Sequence, residues 1–132
     1  MTTKASLAED GAARAAALDV ATSCIVRAPA GSGKTELLTQ RYLALLATVE
    51  EPEEIIAITF TRKAASEMRT RIVTALESAD APAPELAHKR ITWELARRAR
   101  ARDLERDWQL TAHPARTRIR CRALWRAICR RT

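Results

Sequence analysis

Aromatic residues make up only 4% of this 132-residue chain, so a core must be packed from alanine, leucine and isoleucine; the 47% of hydrophobic residues is enough to build one. No apolar run reaches the roughly 18 residues that a membrane-spanning helix needs. The start, Met1 to Ser6, carries no apolar segment of the kind a signal peptide requires, so a cytoplasmic protein is expected. Cysteine is scarce and odd in number: Cys24, Cys121 and Cys129 form no C-x-x-C pair, which argues against a disulfide framework and against a zinc or iron–sulfur site. His88 and His113 stand alone, with no neighbours that would make either a ligand or a base. No internal repeat is present. Acidic residues thin out toward the end. Residues 1–80 hold nine Lys/Arg against eleven Asp/Glu, a balance of −2, whereas residues 81–132 hold fourteen against five, a balance of +9. That excess reads either as a DNA-binding face or as an arginine-rich solvated surface.

Against this background one segment stands out. The apolar run Cys24-Ile25-Val26 reads as a short strand, with Cys24 in the core beside it. It leads into Ala28-Pro29-Ala30-Gly31-Ser32-Gly33-Lys34-Thr35, and a helical pattern follows at once. Gly31 and Gly33 remove the Cβ atoms that would keep the backbone from curling its N–H groups around phosphate oxygens. The helix directs its positive N-terminal end to the same place. Lys34 supplies an ammonium for the outer phosphates, and the Thr35 hydroxyl suits a magnesium ligand. Ala28 stands where a strict P-loop has its first glycine.

A second cluster follows the β-branched run Ile55-Ile56-Ala57-Ile58, which reads as a buried parallel strand. Thr59, Phe60, Thr61, Arg62 and Lys63 come at its C-terminal end, the edge where open α/β sheets bind ligands. Hydroxyls and cations can hold backbone phosphates, and Phe60 offers a stacking face for a base. On composition alone Phe60 could equally fill a core, with Arg62 and Lys63 as a solvated turn.

Together the two segments resemble the UvrD/RecB-like superfamily of DNA helicases, more narrowly the AddA-type helicase–nuclease subunits. There, A-x-A-G-S-G-K-T is helicase motif I, and T-F-T-x-K-A-A-x-E-M-x-x-R is motif Ia, matched by Thr59, Phe60, Thr61, Lys63, Ala64, Ala65, Glu67, Met68 and Arg71. The resemblance spans about residues 10 to 120. It implies ATP and Mg2+ as cofactors. The implied partners are single-stranded DNA and a second helicase–nuclease subunit, with no membrane, and the implied movement is stepwise and generally 3′ to 5′. Lys34 and Thr35 would be the catalytic pair, Thr35 the magnesium ligand, and residues 28–35 the nucleotide loop. Thr59, Phe60, Thr61, Arg62 and Lys63 would contact the strand. Where the family often has a glutamine that recognises adenine, this chain has Arg14, which could stack on the ring. The segment from Trp108 to Arg120 looks like the approach to motif Ic, but the chain continues Cys121-Arg122-Ala123-Leu124-Trp125 instead.

The expected fold is a partial P-loop (RecA-like) α/β protein with a three-layer parallel sheet. Residues 1–80 would form the N-terminal part of the motor domain, and residues 81–132 a basic helical segment leading to a degenerate motif Ic region. A short Ala-rich helix is expected from Asp10 to Leu18. The loop's helix should run from about Gly33 to Thr48, packing through Leu38, Tyr42, Leu45, Leu46 and Val49. Glu50 to Glu54 reads as a solvated connection. A helix from about Lys63 to Leu76 should bury Ala65, Met68, Ile72 and Leu76 and pair Glu67 with Arg71. Ala81 to Pro84 reads as a linker, and Ala87, Ile91, Leu95 and Ala99 as the stripe of an arginine-studded helix with Trp93 off it. Arg118 to Cys121 suits a third strand and Ala123 to Arg130 a final helix. No apolar strand ends in the carboxylate that P-loop hydrolysis needs, since Asp103, Glu105 and Asp107 follow arginines rather than a strand. The expected reading is therefore the first part of a helicase motor domain. The alternatives are a non-catalytic nucleotide- or DNA-binding module and a gene remnant without function.

Overall fold

The turn before the second long helix shows how this chain sets its elements. Thr59 ends a strand, Thr61 adopts extended backbone, and its Oγ1 accepts a hydrogen bond from the Ala64 amide at 3.0 Å, capping the helix that begins at Arg62. Such a cap contributes about 1 kcal/mol. The computed structural model describes residues 11–121 except Ala28, Ala30 and Ser32. Residues 11–17 are helical (α1); then come α2 (Lys34–Leu46), a 3-10 turn (Pro52–Glu54), β1 (Ile56–Thr59), α3 (Arg62–Ser78), α4 (Ala87–Arg106), a second 3-10 turn (Pro114–Arg116) and β2 (Arg118–Cys121). The final helix expected over Ala123 to Arg130 lies outside the described residues, as does Cys129.

β1 and β2 pair in parallel, with Ile56 opposite Arg118 and Thr59 opposite Cys121. Alternation sends Ile119 and Cys121 into the core, where α3 packs, while Ile56, Ile58 and Arg118 occupy the other, exposed face. α3 buries Ala65, Met68, Ile72 and Leu76, the four residues its periodicity marks. One core joins α2, α3, α4, the Trp108–Leu110 corner and Ile119.

Several expectations need correction. Residues 23–27 belong to no strand; Ile25 is 85% exposed and Cys24 is exposed rather than in the core. A β-branched run becomes a buried strand only where a neighbour offers a ladder, and among the described residues the sheet has two strands, with helices packed on one face. α2 buries Leu37, Tyr42, Leu43 and Leu46 and exposes Leu38. Its apolar arc centres on Leu43 because α3 and α4 both cover it. Burial pushes the Tyr42 hydroxyl up to about 12, so the ring serves the core as a neutral phenol.

α4 buries Ala96, Ala99 and Asp103, leaving Ile91 exposed. Trp93 donates its indole N–H to the Ala81 carbonyl at 3.0 Å and lies under the Arg97 guanidinium, 4.9 Å from the ring centre. Glu67 lies 4.0 Å from the Lys63 ammonium, in place of the expected partner Arg71, which lines a cavity between α2, α3 and α4.

The acidic connection is not merely solvated. Glu50 meets Arg102 (3.2 Å) and Arg106. Arg116 reaches Glu53 at 2.8 Å and Glu51 at 3.2 Å, and it also donates to the Trp108 carbonyl at 3.0 Å. The charge imbalance between the two parts of the sequence is thus partly neutralised across the fold.

Candidate functional site

The loop that precedes α2 turns on two residues in the left-handed region, Gly31 at φ 78° and Gly33 at φ 84°. A side chain at either would strain the backbone. Gly33 is the N-cap of α2 and offers no side chain to the helix end, so the first amides of α2 keep their donors for an anion. Lys34 and Thr35 begin the helix and are exposed, as is Pro29. The Thr39 hydroxyl donates to the Thr35 carbonyl at 2.9 Å within the helix. Ala28, Ala30 and Ser32 lie outside the described residues.

A cavity of about 500 Å³ opens between α1, the connecting segment 22–27 and the start of α2. Arg14, Arg27, Gly33 and Lys34 line it, together with the hydroxyl-bearing Thr22 and Ser23 and an apolar wall that includes Ala13, Ala17 and Leu37. The structure therefore brings Arg14 to the loop, although about twenty residues separate them. Arg41 holds this wall in place: its guanidinium donates to the Ala17 carbonyl, to Asp19 O at 3.1 Å and to Thr22 O at 2.8 Å. Nothing in the sequence marked Arg41, because its partners are backbone carbonyls that leave no pattern of residue types.

The lining thus combines the cations Arg14, Arg27 and Lys34 with hydroxyls and apolar side chains, the mixture common in small-molecule sites. Among the described residues no group of three His, Cys, Asp or Glu could hold a metal ion by itself. A magnesium ion here would take the Thr35 hydroxyl with phosphate oxygens and water, in keeping with that ion's habit of staying hydrated.

The second cluster sits at the C-terminal end of β1. Phe60 is 80% exposed, which removes the core-filling alternative. Arg62 and Lys63 are exposed on the first turn of α3. The Thr59 hydroxyl donates to the Thr61 carbonyl at 3.1 Å, so its proton shapes the turn. Thr61 accepts from Ala64 and keeps its own proton for an anion. The late acidic cluster has a structural task. Buried Asp103 accepts from Arg100 at 2.6 Å and from the Leu110 amide at 3.1 Å, fixing the chain as it leaves α4. A second cavity of about 500 Å³ lies between α2, α3 and α4, bordered by Glu36, Arg71, Thr74 and Trp93.

The model of the UvrD/REP helicase N-terminal domain family matches residues 10–127. The chain is similar to an ATP-dependent helicase/nuclease subunit of Moorella thermoacetica, 47% identical over 64 residues that cover 46% of this chain and 5% of that protein. The protein of the same name from Desulfitobacterium hafniense is 43% identical over 70 residues, 51% of this chain and 5% of its own length. That from Oceanobacillus iheyensis is 41% identical over 78 residues, 57% of this chain and 6% of its own. The chain thus spans about one-twentieth of the length of these relatives. No solved structure matches it. No helix among the described residues is long and apolar enough to cross a membrane.

Proposed function

The chain belongs to the UvrD/REP helicase N-terminal domain family, and from that premise we propose that it binds ATP with Mg2+ at residues 28–35 and single-stranded DNA at Thr59 to Lys63. It would supply this part of the RecA-like, three-layer motor domain of a 3′–5′ helicase of the helicase–nuclease type, working with a second subunit. Residues 1–80 carry both motifs, residues 81–132 carry the basic segment, and its α4 and β2 pack on the elements of the first part. The single observation that supports the reading most is the cavity beside Gly33, which Lys34 and Arg14 both line at a helix N-terminus. Lys34 draws the outer phosphates, the α2 amides hold the inner ones, and the apolar wall takes the base. Bound Mg2+ would neutralise phosphate charge beside Thr35.

A narrower reading of these 132 residues by themselves, as a non-catalytic nucleotide- and DNA-binding module, gains from Asp103. That carboxylate is buried and fully engaged with Arg100 and Leu110, so it is not available to position water or metal. One calorimetric experiment tests the proposal. ATP with magnesium should bind the chain, and Lys34→Ala should weaken binding at least about tenfold, or 1.4 kcal/mol. Phosphate release measured in parallel should stay at background. Equal affinity in wild type and variant would remove the phosphate-cradle assignment.

A further inference from the structure

Arg71 is the last residue of the motif Ia match, yet the fold carries it away from the strand end. It stands on α3 about 13 Å of helix beyond Arg62, and it lines the second cavity, between α2, α3 and α4. Lys89, in the first turn of α4, lines the same cavity. Both cations are exposed, and neither side chain has a hydrogen bond or ion pair with another described residue. Among the described lining residues Glu36 is the one acid, and it is engaged. It accepts a hydrogen bond from the Thr92 hydroxyl at 3.3 Å, and Thr92 in turn accepts from Gln40 at 2.9 Å. Two cations against one carboxylate leave this lining with an excess of one positive charge.

The rest of the lining suits a ring. The Trp93 indole N–H donates to the Ala81 carbonyl at 3.0 Å, and the Arg97 guanidinium lies 4.9 Å from the ring centre, so the indole plane is set by the fold. Ala75, Ala96, Pro82 and Pro84 add apolar surface around it. The connection that reads as a linker in sequence is therefore one wall of the cavity. Its volume of about 500 Å³ falls within the range of small-molecule sites.

We infer that this cavity is a second binding site, for a small planar molecule with an apolar body and a single negative charge. The ring lies against Trp93 and the prolines, and the anionic group meets Arg71 and Lys89, the guanidinium offering a forked pair of donors. A triphosphate is a poor occupant, because its several charges exceed the excess of one and would face Glu36. No residue of the loop cavity enters this inference, so it stands apart from the nucleotide reading.

The test titrates the 132-residue chain with 2-naphthoate, and with 2-naphthamide as the uncharged form of the same ring, while amide and indole N–H chemical shifts are recorded. Naphthoate should shift Thr70, Thr74, Ala96 and the Trp93 indole saturably, and naphthamide should bind at least about threefold more weakly. Arg71→Gln and Lys89→Gln should each weaken naphthoate by about threefold to fivefold, as expected for an exposed charge pair, and leave naphthamide unchanged. Arg71→Lys should recover part of the loss. Thermal melts check folding; Lys89 makes no side-chain bond among the described residues, so Lys89→Gln reads the charge even if Arg71→Gln is destabilised. Shifts confined to Gly33, Lys34 and Leu37 would put the ring in the loop cavity and overturn the second site. Absence of saturable shifts would overturn it as well. Equal affinity for naphthoate and naphthamide, with both Gln variants binding like wild type, would overturn the assignment of an anionic ligand.

Discussion

Phe60 is the residue whose surroundings separate binding from folding most cleanly. Its ring is exposed at the end of β1, so truncating it removes little buried surface. Phe60→Ala should therefore leave thermal stability within about 0.5 kcal/mol. It should cost about 1–3 kcal/mol in affinity for a single-stranded oligonucleotide through lost stacking, with the dependence on salt nearly unchanged. Oligonucleotide titrations at several salt concentrations check this, and unchanged affinity would leave the strand-end cluster without its aromatic contact. The arginines near the end of the chain belong to another class. Arg116 is held by Glu53, Glu51 and the Trp108 carbonyl, so it is committed to the fold rather than offered to phosphates.

At the scale of elements, the acidic connection Glu50 to Glu54 and the arginines of late α4 and of the segment after it act as one ionic seam. The hydrogen bonds from Arg116 hold the Glu53 carboxyl below the usual carboxylate range, and Arg116 is itself held more firmly protonated by Glu53. A carboxyl depressed in the folded state stabilises the fold fully above its unfolded value. That contribution disappears as pH falls through the folded value, below the ordinary glutamate range near about 4.3. Melting curves between neutral and acid pH should show wild type losing this increment, and Glu53→Gln should melt lower at neutral pH with a flatter approach to acid. Superimposable profiles would mean that the seam contributes nothing to stability. Partial exposure of the pair keeps the effect small.

The same elements show what the sequence could and could not reveal. α3 was legible because its signals are local: Thr61 caps it, and Ala65, Met68, Ile72 and Leu76 lie three or four residues apart. β2 was legible as the run Arg118 to Cys121. The stripe of α2 was legible at Tyr42, Leu45, Leu46 and Val49, which are buried or packed on the core, but not at exposed Leu38, nor was the burial of Leu43, which is covered by helices far along the chain. Nor was the ionic seam, whose partners Glu50 and Arg102 are 52 residues apart and Glu53 and Arg116 are 63 apart. At the loop, the glycines announced their left-handed backbone in sequence. The approach of Arg14 and the clamp of Arg41 are tertiary facts with no local signature.

For the whole molecule, α2 is the shared element. Its N-terminus forms the loop site, one flank packs on α4, and another packs on α3, which carries the strand-end cluster at its own N-terminus. Gln40 ties α2 to α4 through a 2.9 Å hydrogen bond to Thr92, so residues on either side of the Ala81–Pro84 connection share one core. Two cavities of similar size flank α2, and the one beside Gly33 joins Arg14, Arg27 and Lys34 to the N-terminus of α2 itself. Nucleotide binding at the loop therefore stands or falls on which cavity ATP enters. Amide chemical shifts recorded while ATP and magnesium are added answer this directly. Arg14, Thr22, Arg27, Gly33, Lys34 and Leu37 should move together and saturably, with Thr74, Ser78 and Trp93 unmoved. Saturable shifts at Thr74, Ser78 and Trp93, with the loop residues still, would contradict binding at the loop.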